Sequence, residues 1–230
     1  YIYLYFNIAR LLKSIDIFNF LDLAFFFTSL KSHIINILKM SLAGTVTEQN
    51  LAKSFAGECM ARTKYTYYAG AAKKEGYEQI AALFLETAEN EREHAKIFFN
   101  FLKRNGGTAV EVPASVALTG IGKTVDNLKA AAAGEHEETT NLYPQFAKDA
   151  EREGFKNIAR AFTLIAKVEK EHEIRYNTLL KHVESGTVFK RAKSMRWKCR
   201  NCGFVFEGVA APRVCPACFH PQAYFELKET

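Results

Sequence analysis

The sequence contains little proline and glycine, five and thirteen residues among 230, and a single tryptophan. So few turn-forming residues exclude a collagen-like or low-complexity chain, and an apolar fraction of 48% argues against disorder. The net charge of +6 is spread over 31 basic and 25 acidic side chains, so no nucleic acid is predicted as a partner. The length suffices for one large domain or two unequal ones.

Cysteine is absent from most of the chain. One thiol, Cys59, stands alone, and the other four lie within the last 32 residues. These four are Cys199, Cys202, Cys215 and Cys218. A secreted disulfide scaffold would distribute its cysteines through the fold, whereas two CxxC pairs close together favour a metal site in a reducing compartment. We therefore expect a cytoplasmic protein, or an organellar one only if residues 1–39 are a genuine leader.

Residues 1–39 lack glycine, proline, valine and glutamate altogether, unlike the sequence that follows. They are dominated by amino acids with AT-rich codons, and the first methionine is Met40. Our hypothesis is that this non-native or leader segment is a conceptual translation of AT-rich sequence upstream of the true start at Met40. A membrane helix is the weaker interpretation because Lys13, Asp16 and Asp22 interrupt the apolar run. A targeting peptide also fits poorly, so no membrane role is expected.

Residues 40–185 contain an internal repeat. AGE at 56–58, KKEGYEQIA at 73–81 and ENEREH at 89–94 are echoed by AGE at 133–135, EREGFKNIA at 151–159 and VEKEH at 168–172. Apolar residues recur at helical spacing, so each copy predicts two helices separated by a break at Gly76 or Gly154. Two such hairpins form a four-helix bundle. The Gly- and Pro-containing connection, roughly 105–122, predicts a crossover that runs the length of the bundle.

The acids of the repeat lie at matched distances from the breaks. Glu58 precedes Gly76 by 18 residues and Glu91 follows it by 15, which correspond to about 27 Å and about 22 Å of helix. Antiparallel packing therefore brings both carboxylates to nearly one level. The second copy repeats this arrangement around Gly154 with Glu135, Glu138 and Glu169.

Two Glu-x-x-His pairs complete the pattern, because His94 and His172 each follow a glutamate by three residues and share its helical face. A single pair of this kind is usually part of a solvated surface. Two matched copies, with glutamates on two further helices, are typical of di-iron carboxylate bundles. Buried carboxylates repel one another unless cations compensate them, and carboxylate with imidazole suits iron or manganese. The sequence therefore predicts a dinuclear metal site.

The C-terminal cysteines follow a linker at 186–196 and define a small domain at 197–230. The two CxxC pairs are separated by twelve residues, a spacing that binds one tetrahedral metal ion. Gly203, directly after the first pair, is predicted to take the positive φ that a tight metal-binding turn needs. So small a domain needs the metal for its folding. Spacing alone leaves zinc and iron open, and attachment to a redox-capable bundle favours iron.

The motifs FAGECMARTKY, ENEREHAK, AAAGEHEETTNLYP, KVEKEH, WKCRNCGFVFEG and CPACFHP resemble the rubrerythrin family. The resemblance extends from Met40 to about Leu227. It implies a mostly α fold, with a ferritin-like di-iron four-helix bundle and a small β-rich rubredoxin-like four-cysteine domain. It also implies a non-haem di-iron peroxidase that reduces hydrogen peroxide to water in oxidative-stress defence, with three iron ions per chain.

The resemblance further implies the metal ligands. One iron would be held by Glu58, Glu91 and either Glu138 or His94, and the other by Glu135, Glu169 and His172. Glu91 and Glu169 would bridge. Tyr65 and Tyr143 match tyrosines that orient ligand carboxylates, although they could also be ordinary core aromatics. The mononuclear iron would take all four C-terminal cysteines, whereas Cys59 is expected to be a packed or free thiol.

The family resemblance also implies a homodimer in which electrons cross between subunits. An upstream NADH-dependent reductase or a small electron carrier would supply them. A charge argument accounts for the alternative ligands, since exchanging neutral His94 for anionic Glu138 would offset the charge added when two ferrous ions are oxidised. Two rival functions stay open at this point: iron oxidation and storage, and a non-enzymatic metal-binding or electron-carrying role with a zinc ribbon.

Overall fold

The computed structural model describes residues 41–103, 109–112 and 120–228. The hypothesis about residues 1–39 lies outside the described residues. The helices are α1 (Val46–Lys74), α2 (Glu78–Lys103), α3 (Thr124–Glu137), α4 (Tyr143–Arg152) and α5 (Lys156–Glu184), with a π-helical segment (Glu138–Leu142) between α3 and α4. The strands are β1 (Lys190–Cys199), β2 (Val205–Ala210) and β3 (Phe225–Leu227). The predicted fold class, mostly helical with a small sheet, is confirmed.

Each helical hairpin turns at a glycine, as predicted. Gly76 has φ +83° and Gly154 has φ +89°, values in the left-handed region that glycine adopts without steric cost. After each glycine a backbone N–H reaches back to the helix, from Tyr77 to the Ala72 carbonyl at 2.9 Å and from Phe155 to that of Ala150 at 2.8 Å. These are Schellman helix ends, which satisfy carbonyls that would otherwise lack partners.

The connection between the hairpins joins opposite ends of the bundle. The Thr124 backbone N–H donates to the Glu75 carboxylate at 2.9 Å, so α3 begins beside the end of α1. Helix α2 starts at that same end and has 26 residues, or about 39 Å. Helix α2 therefore ends at the opposite end of the bundle from the start of α3, which is the condition for the predicted crossover. Residues 104–108 and 113–119 of this connection are outside the described part.

Two apolar clusters fill the bundle, one on each side of the acidic layer. The cluster near Gly76 includes Phe84, Leu128 and Tyr176, and the cluster at the other end includes Phe98 and Phe162, all fully buried. Burying a large apolar side chain contributes about 1.5–3 kcal/mol, so these clusters supply the stability that the buried acids cannot. None of the described helices is long and apolar enough to cross a membrane.

The C-terminal segment forms an antiparallel sheet in the order β2-β1-β3. Trp197 on β1 is fully buried, and its indole N–H donates to the Gly208 carbonyl at 2.9 Å. The sheet packs near the Gly76 turn of the bundle, where the Tyr77 and Phe189 rings stack with centroids 6.1 Å apart. Helix α2 also contacts β3.

Candidate metal centres

Six side chains from four helices converge between the two apolar clusters. Their ligand atoms form two groups, each within 4.8 Å: Glu58, Glu91, His94 and Glu169, and Glu91, Glu135, Glu169 and His172. All six residues are buried, and none is more than 7% exposed. Glu91 and Glu169 belong to both groups, which is the position of carboxylates that bridge two cations.

Both histidines present Nδ1 to the carboxylates. Nδ1 of His94 lies 2.9 Å from Glu91 and from Glu169, and Nδ1 of His172 lies 2.9 Å from Glu169. Nε2 of His172 lies 3.2 Å from the Asn90 amide oxygen, which can only accept a hydrogen bond. A neutral His172 that donates Nε2–H to Asn90 therefore directs the Nδ1 lone pair at a metal ion.

Two buried tyrosines support the ligand carboxylates. The Tyr65 hydroxyl donates to Glu135 at 2.6 Å, and the Tyr143 hydroxyl donates to Glu58. Burial, reinforced by the adjacent carboxylate charge, raises the pKa of both phenols well above their ordinary value. Both hydroxyls thus stay protonated and serve as permanent donors, which fixes the ligand orientation.

The π-helical segment brings Tyr143 to the interior. Tyr143 follows Glu135 by eight residues, which on a regular α-helix would separate their directions by roughly 80°. A π turn inserts one residue without the corresponding rotation, which reduces the separation to roughly 20°. The Tyr143 backbone N–H accordingly bonds the Glu138 carbonyl, five residues back. Pro144, which cannot donate to a preceding turn, follows directly.

The electrostatics of the cluster require compensating charge. Burial is the main cause of the raised pKa of Glu58, which is well above its usual range, and of the pKa of Glu135, which is raised to about 7. Burial lowers the pKa of His94, but its close contacts with the Glu169 and Glu91 carboxylates outweigh burial and raise the pKa to about 9. The metal-free cluster therefore holds protons where a metal ion would bind.

Several buried polar atoms of the cluster have no hydrogen-bond partner of good geometry. They are Oε2 of Glu58, Oε1 of Glu91, Oε2 of Glu135, both carboxylate oxygens of Glu169, and Nδ1 of His172. Buried polar groups are normally satisfied, so these atoms point to ligands that bind there. Two divalent cations fit, because the donors are carboxylates and imidazoles of the kind that iron or manganese prefers. The predicted di-iron carboxylate site is thus present in the fold.

Glu138 joins neither group. It is partly buried at the start of the π-helical segment, and burial with nearby carboxylates raises its pKa well above the usual range. The Lys64 charge opposes that rise. Of the two alternative ligands expected from the sequence, the structure therefore brings His94 into the cluster and leaves Glu138 at its edge. Cys59 is an exposed free thiol.

The four C-terminal cysteines form a second centre. The Sγ atoms of Cys199 and Cys218, and those of Cys202 and Cys215, are 3.7 Å apart. A disulfide would need about 2.05 Å, whereas a tetrahedral ion with metal–sulfur bonds of about 2.3 Å separates its sulfurs by about 3.8 Å. Gly203 has the predicted positive φ, +80°. The predicted four-cysteine metal site is thus present.

Sequence reasoning missed two features of the bundle site. Nothing in the spacing singles out Asn90, whose only signal is its place beside Glu91 in ENEREH. The π-helical segment was also missed, although Pro144 in the middle of a helix is a recognisable cue for an irregular turn. Both features depend on contacts between helices, and the spacing of residues along the sequence does not show these contacts.

Comparison with known families agrees with both centres. The rubrerythrin family model matches residues 49–180, and the model of the rubrerythrin rubredoxin-like domain matches residues 197–226. The chain belongs to the rubrerythrin family. Rubrerythrin-1 of Clostridium acetobutylicum is 60% identical over 188 residues, covering 81% of this chain and 96% of the relative. Rubrerythrin of Porphyromonas gingivalis is 57% identical over 193 residues, covering 84% and 95%.

Solved structures show the same architecture. The fully reduced, all-ferrous state of nigerythrin matches with a TM-score of 0.54 and 29% identity, covering 82% of this chain and 92% of nigerythrin. Rubrerythrin membership and the two metal sites together indicate an oxidoreductase. The family resemblance stated from the motifs is therefore confirmed.

Proposed function

We propose that this rubrerythrin reduces hydrogen peroxide to water at a di-iron centre, with electrons relayed through an iron ion on the four cysteines. The observation that carries the proposal is the combination, in one chain, of a buried cluster for two cations and a four-thiolate site. Iron storage would need the first site but has no use for the second. Iron is favoured over zinc at the cysteines because only iron can pass electrons to the bundle.

The overall reaction consumes two electrons and two protons per peroxide and yields two water molecules. Two ferrous ions, when bound, supply one electron each and polarise the O–O bond. Glu91 and Glu169 belong to both ligand groups and would contact both ions. Tyr65 and Tyr143 keep the outer carboxylates oriented, and Asn90 does the same for His172.

Glu138 is suited to two tasks at the edge of the cluster. Its carboxyl group can carry a proton to the reacting oxygens, as general acid–base catalysis requires. Its negative charge can also offset the two positive charges gained on oxidation, because four carboxylates balance only two ferrous ions. We propose that Glu138 replaces neutral His94 as a ligand when the centre is oxidised.

We further propose that electrons cross between the subunits of a homodimer. Within one chain, the cysteine domain packs near Gly76, whereas Glu91 lies 15 residues along α2, or about 22 Å away. Electron transfer slows steeply with distance, so the cysteine site of a second copy is the better donor. Four thiols in one metal site also need a reducing compartment, which supports a cytoplasmic location.

The charge distribution suggests the kind of electron donor. Residues 186–230 carry eight basic and three acidic side chains, whereas residues 40–185 carry 19 basic and 20 acidic ones. We propose an acidic carrier, itself reduced by an NADH-dependent reductase. Reduction of the cysteine iron by an acidic flavodoxin should then slow as salt is raised, while an uncharged chemical reductant shows no such dependence. Salt-independent reduction by flavodoxin would contradict the proposal.

The decisive experiment is anaerobic reduction of the iron-loaded protein followed by enough peroxide to accept all three electrons of the three ferrous ions in each chain. We expect both chromophores to reoxidise as peroxide disappears, and Cys199→Ser to leave one bundle turnover but no NADH-linked turnover. A ferroxidase would instead leave the added peroxide unconsumed and reoxidise only after oxygen is admitted. A colourless cysteine site would indicate zinc and exclude the electron relay.

A further inference from the structure

A groove of about 940 Å³ runs between α1 and the helix formed by α3 and α4. Its lining includes Tyr65 and Tyr143, whose hydroxyls donate to ligand carboxylates, and Glu138 at the edge of the cluster. The groove therefore extends from the bundle surface to residues that support the metal centre directly. Its volume is in the range of small-molecule sites and far exceeds the need of hydrogen peroxide.

Two glycines line opposite walls of this groove. Gly57 on α1 and Gly134 on α3 each stand directly before a cluster glutamate, in the interior of a helix. Glycine is unfavourable there compared with alanine. A Cβ at either position would meet no atom within 4 Å, so neither glycine is needed for close packing. Their effect is to leave the groove wide beside the cluster.

The remaining lining combines apolar and polar groups. Met60, Leu142 and Phe146 contribute apolar side chains, and Thr63 and Lys64 contribute polar ones. A ligand with a short alkyl group and a polar oxygen end matches this mixture, because apolar walls bind the alkyl part and a few polar groups orient the rest.

We propose that this groove is the route by which peroxides reach the metal centre, and that it admits short-chain alkyl hydroperoxides as well as hydrogen peroxide. The inference rests on the proposed peroxidase function. The reaction is ROOH + 2 e⁻ + 2 H⁺ → ROH + H₂O. The O–O bond breaks, one oxygen leaves as the alcohol and the other as water, and the reduced di-iron centre supplies both electrons.

The test uses substitutions that narrow the groove from either wall, made in the iron-loaded full-length protein. Gly57→Leu and Gly134→Leu place a side chain in the groove, whereas Gly70→Leu is a matched control on α1. Gly70 is exposed, also has no atom within 4 Å of a Cβ, and is not part of the groove lining. We expect kcat/KM for tert-butyl hydroperoxide to fall about tenfold or more relative to hydrogen peroxide in the two groove variants and to stay unchanged in the control.

A binding measurement separates access from structure. Azide should associate with the oxidised metal centre more slowly in both groove variants, with an unchanged Kd and an undiminished thermal midpoint. Unchanged azide association rates and an unchanged peroxide preference would overturn the proposal. A lowered thermal midpoint together with an altered Kd for azide would also overturn it, because the two glycines would then have a structural role. If the unsubstituted protein reduces neither peroxide, both the proposed peroxidase function and the use of alkyl hydroperoxides are wrong. The azide rates would still show whether the groove is the access route to the metal centre.

Discussion

The amide oxygen of Asn90 faces Nε2 of His172 at 3.2 Å, across the interface between α2 and α5. This contact selects the tautomer in which Nδ1 is free to bind a metal ion. The imidazole of His94 has no such hydrogen bond among the described residues, so the two histidines of the repeat are not equivalent. The lack of an orienting contact at Nε2 of His94, among the described residues, favours its proposed exchange for Glu138.

Asn90→Ala should weaken metal binding by about 10–100-fold, because His172 loses the group that orients it. Metal affinity can be measured by titrating metal into the metal-free protein in the presence of a competing chelator. Asn177→Ala is the matched control, since Asn177 is exposed on α5. Equal affinities for the two variants would show that Asn90 does not position the ligand.

Glu138→Gln tests the acid–base and charge role of a residue outside the cluster. Iron content should be retained, because six other side chains form the two metal groups. Peroxide turnover should fall by ~100-fold, the typical contribution of a positioned proton donor or acceptor. Glu171→Gln, at an exposed position of α5, serves as the control. Wild-type turnover of Glu138→Gln would disprove both roles.

At the scale of the elements, the bundle helices are regular except for the π-helical segment between α3 and α4, which serves the metal site. The π-helical segment rotates Tyr143 towards Glu58, and the Schellman turns set the level at which the acids of each hairpin meet. Glycines in these helices consequently have opposite roles. A glycine at a turn stabilises the fold, whereas one in a helix interior weakens its helix.

Gly76→Ala should lower the free energy of unfolding by about 1 kcal/mol, because φ is +83° at that position and alanine is strained there. Gly70→Ala, inside the helix that this turn ends, should raise it by about 1 kcal/mol, since the new methyl group meets nothing and alanine favours the helix. Denaturant unfolding of the metal-free variants measures both effects. The same sign for both substitutions would contradict the assignment of the turn.

On the scale of the whole molecule, two apolar clusters enclose a layer of acids that destabilises the metal-free bundle. Protons on the cluster relieve this charge when metal is absent, since the pKa values of Glu135 and His94 are raised to about 7 and about 9. Groups with raised pKa values stabilise the fold below their unfolded pKa, and this contribution is lost as pH rises through the folded value.

As pH rises from about 6 to about 8, the metal-free protein should therefore become less stable. Metal binding should become tighter over the same range, because it displaces these protons. The difference in Tm between metal-loaded and metal-free protein should grow over this range. Thermal unfolding under anaerobic conditions measures it. In His94→Gln the pH dependence should be smaller, and a difference in Tm that shrinks with rising pH would refute the explanation.

The hairpin repeat, the glycine breaks and the two metal sites were predictable without coordinates, because each depends on spacing along a helix or between cysteines. Periodicity fixes which residues share a helical face, and antiparallel packing then fixes their level. The metal-loaded state, the electron route and the homodimer stay predictions.

The relation of Asn90, Tyr143 and Glu138 to the cluster became visible only in the three-dimensional packing of the helices. Their positions depend on which helices are neighbours and on a one-residue insertion that rotates the chain by roughly 100°. The groove beside Gly57 and Gly134 is likewise formed by two helices that are distant in sequence. Contacts between elements set these features, and no local pattern of residue types encodes them.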